Sequence, residues 1–199
     1  QQVKRQTYVL TTGTTSATYY PVGVALATLV SASDDVDFSL TAISSAGSLE
    51  NVKLLRDNQA QFGMMLSIFG AWAFEGNGPI SNPQTHMRSV TALWPNVEHM
   101  LLLSEFVTEG SFTDLGRLNG GRVSIGMRNS GAEITGFYIL DALNINHEKN
   151  LSVAYLGYGP SADALQDGNI IGLNAPGGPP MAALTRAHAL LGDDLTILE

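Results

Sequence analysis

The sequence predicts an α/β fold of two lobes, each a mostly parallel sheet flanked by helices, with a cleft between them. Three observations carry this expectation. Short apolar runs alternate with helical runs over residues 7–74, the pattern of a parallel sheet with right-handed crossovers. A stretch rich in glycine, asparagine and proline at residues 75–88 interrupts the alternation. The alternation then resumes over residues 123–189.

In the first lobe, residues 6–12 read as a strand. The loop Thr11-Thr12-Gly13-Thr14-Thr15-Ser16-Ala17-Thr18 follows, where Gly13 is expected to turn with a positive φ. A helix over residues 21–31 has Pro21 in its first turn, where the missing N–H costs nothing. Val22, Leu26, Leu29 and Val30 make it apolar nearly all round, which predicts a buried helix. Ser33-Asp34-Asp35-Val36-Asp37 is an acidic turn without the glycine and closing glutamate of a calcium loop. Residues 38–43 alternate as a second strand. A Ser/Gly loop then leads into a helix at about Leu49. Residues 62–66 make a third strand and residues 67–74 a third helix. Ligands of parallel sheets bind at the carboxyl ends of strands, so all three strand-to-helix loops share one edge.

In the second lobe, a strand at residues 90–93 is broken by Trp94-Pro95-Asn96 and resumes at 100–103. Strands follow at 123–126, 153–156 and 170–173, with helices at 130–143 and 161–167. Ser130 and Glu133 have the spacing of a capping box. Ala175-Pro176-Gly177-Gly178-Pro179-Pro180 opens a helix to about residue 189. Residues 195–198 read as a last strand. The expected division is residues 1–89 with 194–199 as lobe one, left incomplete at its C-terminal end, and residues 90–193 as lobe two.

Composition narrows the function. The chain has 199 residues, 44% hydrophobic, enough to bury a core. A net charge of −8 with ten Lys and Arg argues against nucleic acid and against an anionic membrane surface. There are no cysteines, so disulfides and thiolate metal sites are excluded. The longest apolar runs are too short to span a bilayer. Gln1-Gln2-Val3-Lys4 lacks the apolar region of a signal peptide.

The candidate chemistry is anion capture at helix N-termini, where unpaired N–H groups and the helix dipole favour negative charge. Thr14, Thr15, Ser16, Thr18, Tyr19 and Tyr20 crowd hydroxyls around the first such end. Ser48 and Asn51 stand at the second, and Ser67 at the third. Asn51 has two open roles: aiming its amide into the ligand space, or satisfying its own helix end. In the second lobe Arg128 precedes a helix start at Ser130, Gly131 and Ala132, and Gly178 lies in the last glycine-rich loop. Arg128 can hold a carboxylate bidentately or lie on the surface. Ser/Thr loops also arise from helix capping alone. No G-x-G-x-x-G, G-x-x-x-x-G-K-[ST], G-x-S-x-G, H-E-x-x-H or S-x-x-K motif is present. The four histidines are scattered. No metal site and no enzyme activity are therefore expected.

Five motifs in order resemble the solute-binding subunits of the TAXI branch of TRAP transporters. Gly13-Thr14 with Tyr19-Tyr20-Pro21 and Gly23 is similar to that family's opening G-T-G-G-x-x-G-x-Y-Y-P. Gly47-Ser48-Leu49-Glu50-Asn51-Val52 is similar to its S-x-E-N-[LV] helix start. Leu93-Trp94-Pro95 with His99 resembles its L-Y-P-E hinge. Gly120-Gly121-Arg122-Val123-Ser124-Ile125-Gly126 with Asn129-Ser130-Gly131-Ala132-Glu133 resembles its G-x-x-V-S-[IV]-G-x-x-G-S-G-T-E. Gly177-Gly178-Pro179-Pro180 sits where it has G-G-x-P. The resemblance implies a periplasmic-binding-protein-like fold. It implies capture of a small organic anion such as glutamate, 2-oxoglutarate or another dicarboxylate, and delivery to an integral-membrane TRAP permease. It places the protein in the periplasm with its signal peptide removed and itself not inserted in the membrane. It implies no cofactor.

The sequence departs from that pattern at Thr14-Thr15 in place of a glycine pair. It departs also at Leu66 and Ile68, where the family has Gln and Asp, and at Ala132 in place of Thr. Leu66 and Ile68 suit a less polar ligand. An ABC-type binding protein for an aromatic or thiamine-precursor ligand therefore stands as an alternative, as does the ligand-sensing domain of a regulator.

Overall fold

The computed structural model describes residues 5–199. The chain divides into two compact units, one ending at Trp94 and the other running from Pro95 to Glu199. In both, parallel-rich sheets are flanked by helices, the α/β architecture that the alternation predicts.

The first unit is built on β1 (Gln6–Thr11), β2 (Phe38–Ile43) and β3 (Phe62–Gly63), in the order β2-β1-β3. Both pairings are parallel, with Tyr8 opposite Leu40 and Leu10 opposite Phe62. Their crossovers are α1 (Tyr19–Ala32) and α2 (Ser48–Arg56), and α3 (Ser67–Glu75) follows β3. The third strand is shorter than expected, because only two residues find a ladder on β1. Tyr8, Phe38 and Phe62 pack edge-on and stacked across the three strands, with ring centroids 5.3–6.4 Å apart. Such pairs add to plain area burial.

Two first-unit expectations change. α1 is not buried all round: Gly23 and Ala27 are its buried residues, while Leu29 is 69% exposed. It packs on the sheet by one face only. Nor does Gly13 take a positive φ. A Cβ there would make ordinary contact with Tyr19, its nearest atom 3.4 Å away. The positive φ falls at Gly47, at 119°, the residue before α2.

The second unit holds a five-stranded sheet in the order β6-β5-β7-β4-β8. The strands are β4 (Met100–Leu103), β5 (Gly121–Ser124), β6 (Leu151–Ala154), β7 (Gly172–Asn174) and β8 (Leu195–Ile197). β5 pairs parallel with β6 and β7, and β4 runs antiparallel to β7 and β8. The helices are α4 (Gly131–Ala142), α5 (His147–Asn150), α6 (Tyr158–Gln166) and α7 (Ala182–Leu191).

Strand alternation sorts the core into two faces. Leu101, Leu173 and Leu195 join Ala162, Leu165, Ala183 and Ala187 of α6 and α7. Met100, Leu102, Val123 and Leu198 join Leu115 and Leu140, the latter from α4. Asp114, itself fully buried, accepts the N–H groups of Thr108, Glu109 and Gly110 and ties down the loop after β4.

Three expectations for the second lobe and the C-terminal strand are corrected. Residues 194–199 do not return to the first lobe: β8 pairs with β4, with Leu101 opposite Ile197, and buries Leu195 and Leu198 in the second unit. The open edge of β4 supplies the partner that a C-terminal strand needs. Residues 90–93 form no strand, and Val90 is 80% exposed. No ladder reaches them, so apolar composition alone does not make them β. Residues 175–181 are a loop, and α7 starts only at Ala182, after the consecutive prolines. Among the described residues no helix is long and apolar enough to cross a membrane.

Candidate functional site

In the first unit the parallel ladders bring the three strand-to-helix loops to one edge, as the alternation predicts. Backbone bonds tie them: Ser45 N–H donates to Gly13 O at 3.1 Å and Met64 N–H to Thr11 O at 3.0 Å. Asn51 sits at the centre, with no exposed surface. Its Nδ2 donates to Thr12 O and Met64 O, both at 2.6 Å, which fixes the orientation of the amide. Its Oδ1 accepts from the hydroxyls of Thr11 at 2.7 Å and Ser45 at 2.6 Å. An amide side chain has two donor hydrogens and two lone pairs, and here all four are engaged. Of the two roles open at the sequence level, neither is the observed one. Asn51 knots the loops of β1, β2 and β3 together and has no capacity left for a ligand.

The other first-unit candidates lie around that knot. Ser48 is 2% exposed and its Oγ accepts from Leu66 N–H at 3.1 Å. The Tyr19 hydroxyl is pushed up to about 12 by burial, with a bond to Ser48 pulling the other way. It is a neutral hydroxyl at every physiological pH. The Tyr19 ring meets Trp94 edge-on at 5.9 Å. Thr14 stands apart from these satisfied groups, because its Oγ1 is buried and has no hydrogen-bond partner. Ser67 is exposed at the start of α3.

The second unit gathers its own loops at one edge of β5, β6 and β7. Gly126, with φ 104°, lets the chain fold back so tightly that a Cβ would lie 3.0 Å from Ser130 Oγ. Ser130 caps α4: its Oγ accepts from Glu133 N–H at 3.0 Å. Glu133 answers through Oε2, accepting from Asn129 N–H at 2.6 Å, one residue before the position a capping box uses. Gly131 and Ala132 are buried in the first turn. Arg128 projects from this loop, its side chain 67% exposed, 3.7 Å from Glu133. Its guanidinium lies 3.7 Å over the ring of Tyr155, in the loop after β6. The Tyr158 hydroxyl donates to Pro176 O at 2.8 Å, joining the start of α6 to the loop after β7. Gly178 is buried in the latter. The edge therefore offers the N-terminus of a capped twelve-residue helix beside an arginine braced on an aromatic face. That pairing suits an anionic group.

Sequence reasoning overlooked Tyr155, which shows no motif and gains its place only because β5 and β6 are neighbours. It also passed over Glu98, Thr135 and Asn174. The strand period places Glu98 on the same face as Met100, a signal legible only once the ladder is known. Among the described residues no group of three His, Asp or Glu is arranged to hold a metal.

Known structures share this architecture. The periplasmic aliphatic sulphonate binding protein SsuA of Escherichia coli superposes with a TM-score of 0.55 at 13% identity, over 98% of this chain and 57% of its own. The binding protein component of an ABC phosphonate transporter from Pseudomonas aeruginosa gives 0.65 at 10% identity, over 98% and 65%. The ligand-binding core of GluR0 from Nostoc punctiforme, in complex with L-glutamate, gives 0.58 at 13% identity, over 96% and 78%. The chain thus spans less than two thirds of the length of the first two. At these identities the likeness is one of fold. In sequence, residues 10–199 match the family described as NMT1-like.

Proposed function

The chain belongs to the NMT1-like family, and from that premise we propose that it is an extracytoplasmic solute-binding protein, not an enzyme, that captures a small organic acid for a membrane transporter. The observation that carries this reading is the N-terminal turn of α4, capped by Ser130, with Arg128 exposed beside it. A carboxylate there takes charge-assisted bonds of about 1.5–3 kcal/mol each, and a helix end adds roughly 0.3–1 kcal/mol. A few such terms reach the ~8 kcal/mol of micromolar affinity. The acidic protein needs no basic patch, because backbone dipoles supply the positive potential. In the first unit, the unpartnered Thr14 hydroxyl is the best remaining donor.

The resemblance of five motifs to the TAXI branch supports extending the reading to a dicarboxylate-class ligand, a TRAP permease as partner and the periplasm as the place of work. A second reading, the binding component of an ABC-type importer, is favoured by what the structural neighbours are called and by apolar Leu66 and Ile68. Calorimetry against a panel of mono- and dicarboxylates, sulfonates and aromatic acids tests the core proposal, which expects micromolar binding of at least one acid and at least tenfold weakening in Arg128→Ala. Binding of none of them sinks it. Uptake in cells carrying each permease type separates the two transport readings.

A further inference from the structure

Among the buried side-chain oxygens of the second unit that lack a well-formed hydrogen bond, Glu98 Oε2, Thr135 Oγ1 and Asn174 Oδ1 come together at one place, with Thr135 and Asn174 close enough to the Glu98 carboxyl to act on its pKa. The ladder explains the meeting. Met100 lies opposite Asn174, and in the same register Val97 bridges Gly177. Ala175 N–H donates to His99 O at 2.9 Å between them. Alternation then sets Glu98, Met100 and Asn174 on the same face of the sheet. That face is covered by α4: Asn174 Nδ2 donates to Ala132 O at 3.2 Å, and a Cβ on Gly136 would lie 3.1 Å from Nδ2. Thr135 is the residue before Gly136. The Nδ2 bond fixes the amide and leaves Oδ1 facing away from it, in a side chain only 1% exposed. Because β4 runs against β7, Glu98 precedes β4 at the same edge where β5, β6 and β7 end.

We propose that Glu98, Asn174 and Thr135 form a subsite for a compact monovalent cation, either the protonated amine of the bound solute or a free ammonium or alkali ion. The chemistry of the oxygens is the reason. A carboxylate and an amide carbonyl accept and do not donate, and an ammonium group brings three N–H donors on one centre. A neutral carboxylic acid at Glu98 can donate its one proton to Asn174 Oδ1 and accept from the Thr135 hydroxyl, so the proton fills the cluster at low pH and a cation takes its place once the carboxyl ionises. A water molecule brings two donors and no charge to answer the carboxylate. An anion can take the Thr135 proton but leaves the carboxylate and the Asn174 carbonyl without a donor. Burial raises the Glu98 pKa, and Thr135 and Asn174 only partly oppose it, so cation entry displaces a proton and tightens as pH rises. The neighbouring ionisable groups are otherwise engaged: the His99 ring on Ala175 O, and Glu133 of α4 with Arg128 and the Asn129 N–H. In its solute-amine form the subsite rests on the proposed capture of an acid at the N-terminus of α4, and it makes that solute zwitterionic.

Paired probes test this by calorimetry and thermal shift: L-glutamate against glutarate, taurine against ethanesulfonate, and ammonium, potassium or sodium chloride against tetramethylammonium chloride at equal ionic strength. A solute amine is expected to improve binding at least tenfold over its amine-free partner, more at pH 8 than at pH 5. Glu98→Gln is expected to abolish that preference while keeping the affinity of the amine-free acid. Thr135→Val, which leaves the carboxyl in place, is expected to weaken it in part. A rise in Tm with a small inorganic cation, lost in Glu98→Gln, assigns the subsite to a free ion. Equal binding of both members of each pair with no cation effect overturns the subsite and leaves acid capture standing. Cation stabilisation in a protein that binds no acid does the reverse. Absence of every effect, or an amine preference that survives in Glu98→Gln, overturns the subsite.

Discussion

Each unit buries one asparagine completely at its loop edge, and the two are bonded in opposite ways. Asn51 has four partners and no free capacity. Asn174 has a bond to Ala132 O, lies against the Glu98 carboxyl, and keeps a carbonyl oxygen without a donor. Burial alone does not separate them, since both are about as inaccessible. The hydrogen-bond inventory does. A saturated buried amide is a structural tie, and an unsaturated one marks a place where a partner belongs. At its buried asparagine the first unit has spent its polar groups on holding its own loops, and the second keeps one in reserve.

This contrast is broken most directly by removing both amides. Asn51→Leu strands Met64 O and the Thr11 hydroxyl, leaves Thr12 O and the Ser45 O–H only each other, and is expected to cost about 3 kcal/mol or more, read from urea unfolding. Hydrogen exchange should localise the loss to residues 5–94. Asn174→Leu removes one bond and one orphan and is expected to cost under about 1 kcal/mol. Equal losses would erase the distinction between the units.

Close backbone packing is expected to matter in both. A Cβ on Gly23 collides with Thr12 Cγ2, and one on Gly172 comes 2.7 Å from Leu101 O. Gly172→Ala meets backbone that cannot move aside, and Gly23→Ala meets a side chain that can. Both are expected to lower stability by roughly 1–3 kcal/mol, with Gly172→Ala the larger in thermal melts.

Helix capping sharpens the comparison at a smaller scale. Ser130 caps α4 with its side chain, whereas α1, α2 and α3 have no side-chain cap bond. Ser130→Ala is expected to cost about 1 kcal/mol, and Ser130→Gly only a few tenths, in the same melts. The smallest effect belongs to Arg128→Ala. Its exposed pair with Glu133 contributes about 0.5 kcal/mol or less, so Tm should hardly move while acid binding falls. A Tm loss as large as that of Ser130→Ala would make Arg128 a structural residue.

Asp114 gives the second unit a pH signature. It is buried, which disfavours its charge, but three backbone N–H groups and Arg117 outweigh this and hold its pKa below the usual carboxylate range. A depressed folded-state pKa contributes stability that is present above the ordinary carboxylate value and lost as pH falls through the depressed one. Glu98, raised by burial, acts with the opposite sign and lowers stability as pH rises through its own value. Asp114→Asn should flatten the acid limb of the stability profile, and Glu98→Gln the limb above it.

Much of this was legible in the sequence. Alternation of apolar strands and helical runs determined the α/β class, and the Ser130–Glu133 spacing determined the capped start of α4, because both depend on local periodicity and local bonding. Only the tertiary structure decided where residues 195–197 pair, since a strand takes whichever open edge reaches it. It decided that residues 90–93 form no strand, that Asn51 is a knot and not a contact, and that Glu98, Thr135 and Asn174 share one face. Those outcomes depend on ladder register and on which carbonyls lie within about 3 Å of an amide. Residues 76 positions apart in the chain meet there through partners that no local pattern names.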